Sequence, residues 1–297
     1  MILDYITKIK SNITIYTNKK TTNVLDGAYK SIYKGRSMNF EDLREYVPGD
    51  SIKDIDWKAS SRNRIPLVKR YIAEKKHNIL LVFDSEYRML GDSRGNQPKR
   101  DVAMLAGGTL GYIASKNGDN VGCLYATGDL IQYYQPKPGL NYLENLLQKY
   151  NSNVASKKNS GLAKCFDFIT KCVKSTMIIV VITDIAGINK LDSGYLKLLE
   201  YKNDVLFICV SDADVTGNKA WGIDNNRYVP AFISDNKKMA KKEREMKEKL
   251  YAAGEKKLRE CGVSGIVVDD SESLPTKILE LLEKQRLYQG GVNDGIC

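Results

Sequence analysis

The fold is decided by the stretch ILLVFD, residues 79–84, a short apolar run that ends in a carboxylate. Four further runs rich in Val, Ile, Leu and aromatic residues also indicate buried strands: Val121–Ala126, Met177–Asp184, Asp204–Ser211 and Gly265–Asp269. Helical patterns with one apolar face separate these runs. Because parallel neighbours need crossover connections, this alternation predicts a doubly wound, mostly parallel α/β sheet.

Three segments depart from the alternation. Ile131–Gln135 is expected to form a short antiparallel edge, and an insertion at about 220–233 is expected to form a β-hairpin that turns at Asp224-Asn225-Asn226. The residues before Ile79 contain strand-like pieces and indicate a β-rich N-terminal module, with residues 1 to about 28 leading into it as a helix or a strand. We therefore predict a module at 1–76, an α/β domain at 77–290 and a tail at 291–297.

The positive charge is concentrated in two segments. The chain has 46 Lys and Arg against 36 Asp and Glu, a net charge of +10. Residues 58–76 carry a net +6 and residues 237–260 a net +5, so the rest is close to neutral. The second segment has an apolar stripe and i,i+4 charge pairs typical of a solvated helix. The informative basic patch is therefore Lys58–Lys76, which could contact an acidic protein surface or a phosphate backbone.

The remaining composition excludes several classes of protein. One His and six Cys without C-x-x-C spacing argue against zinc sites and against Ser-His-Asp or Cys-His catalysis. The apolar runs are far shorter than the roughly 20 residues that a membrane-spanning helix requires. The first ten residues contain Asp4 and no long apolar stretch, so we expect no secretory signal and a cytoplasmic location.

The run from Leu25 to Tyr71 resembles the signature of the bacterial domain-of-unknown-function 58 family. The pieces that match in order and spacing are Phe40-Glu41, Leu43-Arg44-Glu45-Tyr46, Pro48-Gly49-Asp50, Ile55-Asp56-Trp57-Lys58 and Val68-Lys69. The resemblance implies that a von Willebrand factor A-like domain begins at Ile79. It also implies a cytoplasmic adaptor or interaction protein with no established enzymatic activity, commonly associated with a MoxR-type AAA+ ATPase. We expect no cofactor.

A-type domains hold a divalent cation between an Asp-x-Ser-x-Ser loop, a later Thr and a distal Asp. Here Asp84 and Asp184 match the two acids, but Glu86 and Arg88 stand at the hydroxyl positions, and Pro138-Gly139-Leu140-Asn141 offers no hydroxyl for the Thr. Because a guanidinium cannot ligate a cation and repels one, we expect a degenerate site without metal, in which Arg88 pairs with Asp84 or Asp184. Ligands gather at the carboxyl ends of such strands, so these four residues are the predicted partner face.

A second set of candidate residues lies in the signature and its basic surface: Arg44, Asp54, Asp56, Trp57, Lys58, Arg62, Arg64, Lys69 and Arg70. Asp54 and Asp56 form an i,i+2 pair of carboxylates, which could serve acid-base chemistry. Lys53, Lys58 and Arg62 are close in sequence, and they favour a network of internal ion pairs instead.

Two other classes of function remain open. A strand ending in Asp84-Ser85-Glu86, a later strand ending in Thr183, and Asp269-Asp270 are similar to a Mg²⁺-dependent haloacid-dehalogenase-like phosphatase with Asp84 as nucleophile. That reaction requires an Asp at the position that Glu86 occupies in this chain. A nucleic-acid-binding protein could instead use the basic patch at 58–76. The residues favour a non-enzymatic protein that binds a protein partner.

Overall fold

Helices and strands alternate along most of the chain. The computed structural model describes residues 5–16, 19–33, 40–71, 76–128, 130–153, 161–216, 221–222 and 227–293. The helices are α1 (Tyr5–Tyr16), α2 (Lys19–Tyr33), α3 (Trp57–Asn63), α4 (Lys99–Lys116), α5 (Leu140–Asn153), α6 (Leu162–Cys172), α7 (Ile185–Lys190), α8 (Ser193–Lys202), α9 (Ala231–Ser234), α10 (Lys237–Glu260) and α11 (Leu274–Asn293). The strands are β1 (Phe40–Glu45), β2 (Leu67–Tyr71), β3 (Asn78–Phe83), β4 (Asn120–Thr127), β5 (Leu130–Lys137), β6 (Ile178–Asp184), β7 (Asp204–Val210), β8 (Trp221–Gly222), β9 (Arg227–Tyr228) and β10 (Ser264–Val268). Two short 3₁₀ helices lie at Ile52–Asp54 and Tyr87–Leu90.

The central sheet has six strands in the order β10-β7-β6-β3-β4-β5. All neighbours are parallel except β4 and β5. The first strand of this sheet in sequence is β3, which lies in the middle. The next two, β4 and β5, lie on one side of it, and β6, β7 and β10 lie on the other side. The predicted doubly wound, mostly parallel sheet of the von Willebrand factor A type is confirmed, and so is its antiparallel edge. The connections diverge between β3 and β6, and this is the topological switch point where ligands gather in such sheets.

Both faces of the sheet are covered by helices, because successive side chains of a strand point to opposite faces. On β3, Leu81 and Phe83 enter a core formed with α1, α2, α4, α5 and α11. Leu80 and Val82 enter the opposite core, which contains side chains of α6, α7, α8 and α10. This double cover explains why the five parallel strands appear in the sequence as nearly continuous apolar runs.

The segment before β3 contributes three α-helices as well as two strands. Ile9 of α1 and Leu25 and Tyr29 of α2 are fully buried in the first core. The Tyr29 hydroxyl donates to Asp119 Oδ2 at 2.7 Å. The strands are β1 and β2, which pair antiparallel as a ribbon outside the central sheet, with α3 between them in sequence. The domain boundary at residue 76 stays a prediction.

The inserted hairpin and the tail are described in part. Within the predicted insertion, β8 pairs antiparallel with β9. The turn predicted at Asp224-Asn225-Asn226 lies outside the described residues. Helix α11 continues to Asn293, inside the predicted tail, and residues 294–297 lie outside the described chain. None of the helices in the described ranges combines the length and the apolarity that crossing a bilayer requires.

Candidate functional site

Three carboxylates meet at the carboxyl edge of the sheet because three neighbouring parallel strands end there. Asp84 follows β3, Asp184 is the last residue of β6, and Asp212 follows β7. Asp84 and Asp184 are each 1% exposed. Burying two ionisable groups so close together requires compensating charge and hydrogen bonds. We call this group, together with Arg88 and Lys99, the carboxyl-edge cluster.

Arg88 supplies part of that compensation. Its Nε donates to Asp184 Oδ1 at 2.7 Å, and its Nη2 pairs with Asp84 Oδ2. Its Nη1 pairs with Glu86, which also contacts Lys190 at 3.2 Å. The 3₁₀ turn after β3 places the guanidinium between the two strand ends. One planar cation thus contacts three carboxylates, and the four residues predicted as the partner face come together.

Lys99 supplies the second buried cation, which is not among the site residues predicted from the sequence. It is the first residue of α4 and is 3% exposed. Its Nζ donates to Asp184 Oδ2 at 2.9 Å and pairs with Asp212. Asp212 was missed as well, although its position directly after a buried strand is a signal that could have placed it at this edge.

Neutral donors also bond to these two carboxylates. Asp84 Oδ1 accepts from the Glu86 N–H at 3.0 Å, and Asp84 Oδ2 accepts from Thr183 Oγ1 at 2.5 Å. Asp184 is the N-cap of α7, and its Oδ1 accepts from the Gly187 N–H at 2.9 Å. All four oxygens of these two carboxyl groups therefore have donors from the protein itself.

The pKa values of the two buried carboxyl groups are shifted in opposite directions. Burial raises the pKa of Asp84 to about 6, although Arg88 and Thr183 oppose that rise. Burial also works to raise the pKa of Asp184, but the charges of Lys99 and Arg88 outweigh it and hold the pKa below its usual value. Burial alone would lower the pKa of Lys99, yet Asp184 and Asp212 raise it. Asp184 and Lys99 are thus both charged at neutral pH.

The residues of the cluster do not fit the divalent cation that the resemblance to A-type domains implies. Mg²⁺ needs several free oxygen ligands in a near-octahedral array. Here every oxygen of Asp84 and Asp184 is already bonded to a donor, and two cationic side chains lie between the acids. Across the part of the chain that the structure describes, no three His, Cys, Asp or Glu side chains are grouped to hold a metal ion.

The second predicted set lies in the ribbon and forms its own network. Arg44 donates both Nη groups to Asp50, at 2.8 and 2.6 Å. Asp56 caps α3 by accepting from the Lys58 and Ala59 N–H groups at 3.1 and 3.0 Å, and it pairs with Lys69 at 3.5 Å. These bonds all lie within residues 44–69. They use Asp56 as a structural cap and not as one half of an acid-base pair.

The other residues of that set are mainly exposed. Trp57, Lys58, Arg62 and Arg64 point away from the ribbon's interior, and Asp54 is half-buried in the 3₁₀ helix before α3. The side chain of Arg70 lies outside the described residues. The structure therefore divides the predicted residues into a buried carboxyl-edge cluster and an exposed ribbon surface.

A doubly wound sheet with one antiparallel edge strand and a polar carboxyl edge defines an α/β protein of the von Willebrand factor A type. Within that class, the chain belongs to the family described as "Protein of unknown function DUF58", whose family model matches residues 42–215. This is more than half of the chain, and it includes most of the ribbon and the whole carboxyl-edge cluster.

Several relatives and solved structures are similar to this chain. Uncharacterized proteins of Mycobacterium bovis and Mycobacterium tuberculosis are 24% identical over 203 residues, which is 67% of this chain and 63% of theirs. The chain thus spans less than two thirds of the length of these relatives. An aerotolerance-related membrane protein from Bacteroides fragilis is 16% identical with a TM-score of 0.40, over 70% of this chain and 99% of that one. BatB from Bacteroides thetaiotaomicron is 16% identical with a TM-score of 0.43, over 71% and 99%. A von Willebrand factor type A protein from Catenulispora acidiphila is 8% identical with a TM-score of 0.38, over 74% and 44%.

Proposed function

We propose that this chain is a non-enzymatic protein-binding module whose carboxyl edge works without a metal ion. One observation carries the proposal: Arg88 and Lys99 form ion pairs with the buried acids Asp84 and Asp184. In this arrangement the protein's own cations supply the positive charge that a bound ion would otherwise provide. The edge is then a preformed polar surface, and its shape does not depend on loading with a cation.

The same geometry argues against the phosphatase alternative. A carboxylate nucleophile must have an oxygen free to attack the substrate. Asp84 is 1% exposed, and both of its oxygens accept hydrogen bonds or an ion pair from the protein. We therefore expect no turnover of an aryl phosphate that depends on Asp84, and a rate that Asp84→Asn abolishes would contradict the proposal.

The partner that the family resemblance supports is a MoxR-type AAA+ ATPase, and the interaction would then take place in the cytoplasm. At the rim of this edge Lys190 pairs with Glu86 at 3.2 Å, and the Lys190 side chain is 64% exposed. Because Lys190 lies at the rim, its charge can contribute to partner affinity without being needed for folding.

The metal-free edge is tested by titrating the full chain with Mg²⁺ in a calorimeter. Wild type and Asp84→Ala should give indistinguishable heats, as should the control Asp167→Ala, which removes an exposed carboxylate paired with Lys171. Micromolar binding by wild type that only Asp84→Ala abolishes would overturn the metal-free proposal.

The partner is tested with the purified MoxR-type ATPase of the same organism, without nucleotide, in EDTA and in Mg²⁺. We expect equal affinity in the two buffers and about tenfold weaker binding by Lys190→Glu, because the variant reverses a rim charge. Lys171→Glu is the matched control on a different surface. Absence of binding by wild type would contradict the choice of this ATPase.

A further inference from the structure

Four large apolar side chains in the ribbon are exposed. Trp57 and Ile52 are each 66% exposed, and Val47 and Ile65 are also exposed. Single exposed apolar residues are ordinary, but these four fall within 19 residues of sequence. A large aromatic side chain on the surface has much to gain from burial against a partner, and Trp is the residue most enriched among binding hot spots.

The charges around these residues are unevenly paired. Two of the six acids in the ribbon sequence, Asp50 and Asp56, are used internally, by Arg44 and by the α3 cap with Lys69. Lys58, Arg62 and Arg64 make no ion pair with any described residue, and the stretch 57–64 contains no acidic side chain. We call Ile52, Trp57, Lys58, Arg62 and Arg64 the α3 face. Its three cations lie within seven residues of Trp57 in sequence.

The α3 face is held in a fixed conformation. Asp56 caps the start of α3, and Arg64 ends it in the left-handed conformation with φ 57°. Ser60 Oγ donates to the Asp56 carbonyl at 2.7 Å and accepts from the Leu67 N–H at 2.8 Å, which ties α3 to β2. Lys58 and Arg62 lie one helical turn apart. A preorganised surface loses little entropy when a ligand binds.

We infer that the α3 face docks an acidic segment of a partner protein, one that brings both carboxylates and apolar side chains. Carboxylates would pair with Lys58, Arg62 and Arg64, and the apolar side chains would cover Trp57 and Ile52. A nucleic acid would be held mainly through phosphate contacts, and Ile52 and Val47 offer nothing to a phosphate backbone. The inference depends on the proposed function in one respect, because it assumes that the ligand is a protein.

The test measures fluorescence polarisation of full-length protein with a panel of labelled peptides of one length. Each peptide has the same leucines, and the variable positions are all Glu, all Gln or all Lys. We expect affinity to fall in that order and Trp57→Ala to weaken binding of the Glu peptide about thirtyfold, as for a hot-spot residue. Tyr201→Ala removes a ring that is 83% exposed elsewhere and should change nothing.

Reversing the charge of the α3 face tests the inference with a result that a misfolded variant could not produce. Arg62→Glu with Arg64→Glu should reverse the preference, so that the Lys peptide binds more tightly than the Glu peptide. The matched control, Lys241→Glu with Lys256→Glu, makes the same charge change at exposed positions of α10 and should keep the wild-type order.

The inference is overturned if wild type binds the three peptides equally or binds none. It is also overturned if Trp57→Ala binds within twofold of wild type, or if a labelled single-stranded oligonucleotide binds more tightly than the Glu peptide and the Arg62→Glu, Arg64→Glu variant loses it. None of these variants touches the carboxyl-edge cluster. A failure in the panel alone therefore leaves the Mg²⁺ and ATPase results in place, and the reverse holds as well.

Discussion

Lys99 carries an ammonium group into the interior, where two carboxylates contact it. Replacing it with Met keeps most of the volume but leaves Asp212 without its cation and Asp184 with Arg88 alone. Because breaking a buried ion pair leaves an uncompensated charge, we expect Lys99→Met to lower the free energy of unfolding by about 3–5 kcal/mol. Urea denaturation of wild type and variant at neutral pH measures the difference.

The control for this prediction is Lys171→Met. Lys171 pairs with Asp167 at 2.7 Å, but its side chain is 70% exposed, so water screens the pair. Exposed ion pairs contribute about 1 kcal/mol or less, so this variant should stay close to wild type. Equal losses for the two lysines would contradict the view that Lys99 compensates buried charge.

Asp204, at the start of β7, gives the chain a second titrating group at the amino edge of the sheet. Burial raises its pKa to about 6, against an opposing hydrogen bond from Tyr33. Because this pKa lies above the ordinary value of 3.8, the folded protein holds a proton between about pH 4 and pH 6 that the unfolded chain releases. Rising pH through that window therefore weakens folding.

Asp204→Asn removes this titrating carboxyl group. The stability of the variant should therefore rise relative to that of wild type between pH 4 and pH 6. The relative gain should reach at most about 3 kcal/mol and then stay constant above about pH 7. Urea denaturation midpoints of both proteins at several pH values give the comparison. Curves that stay parallel across the window would show that Asp204 titrates normally.

At the scale of elements, the edge strand β5 depends on a glycine in its neighbour β4. A Cβ at Gly122 would lie 2.5 Å from the Tyr134 carbonyl oxygen and 2.7 Å from the Pro136 nitrogen, which are backbone atoms of β5. Since backbone cannot move aside cheaply, Gly122→Ala should lower the free energy of unfolding by about 1–3 kcal/mol. Faster amide exchange in β5 would locate the effect.

Gly27 of α2 is the matched control with the opposite sign. A Cβ there meets nothing within 4 Å, and the residue lies within a helix. Gly27→Ala should raise stability by about 0.5–1 kcal/mol, because Ala loses less backbone entropy on folding. Two Gly→Ala changes of the same sign would contradict the packing argument.

Elements of this fold could be predicted where burial leaves a continuous apolar pattern. The run at 79–84 corresponds to β3 within one residue at each end, and Ile131–Gln135 lies inside β5. The sequence does not decide between helix and strand for the first 28 residues, because the packing partners of Ile9 and Leu25 lie in distant parts of the chain.

The candidate site was predictable only in part. Asp84 and Asp184 could be named because they lie at strand ends and match a motif, and Arg88 could be named because it replaces a hydroxyl residue of that motif. Lys99 could not be named, because its acceptors are 85 and 113 positions away and a lysine at a helix start normally faces water. The pattern of one sequence indicates which residues lie at the carboxyl edge of the sheet. It does not indicate which distant cation pairs with them.

At the scale of the whole molecule, the N-terminal helices and the sheet share one core. Ile9 and Leu25 pack in the same cluster as Leu81 and Phe83, and Glu144 of α5 accepts from the Tyr5 N–H at 3.0 Å at the start of α1. A segment that fills the core of its neighbour cannot unfold alone without exposing that core. We therefore expect calorimetry of the full chain to show one transition for residues 5–33 and the sheet together.

Two isoleucine variants test whether residues 5–33 and the sheet unfold together. Ile9→Ala removes a side chain that is fully buried, so it should lower the free energy of unfolding by about 2–5 kcal/mol and shift the entire transition. Ile52→Ala makes the same change on the exposed α3 face and should alter stability by about 0.5 kcal/mol or less. If Ile9→Ala instead split the transition in two and left the sheet's melting unchanged, residues 5–33 would form a separate unit. The shared core would then contribute little to the stability of the sheet.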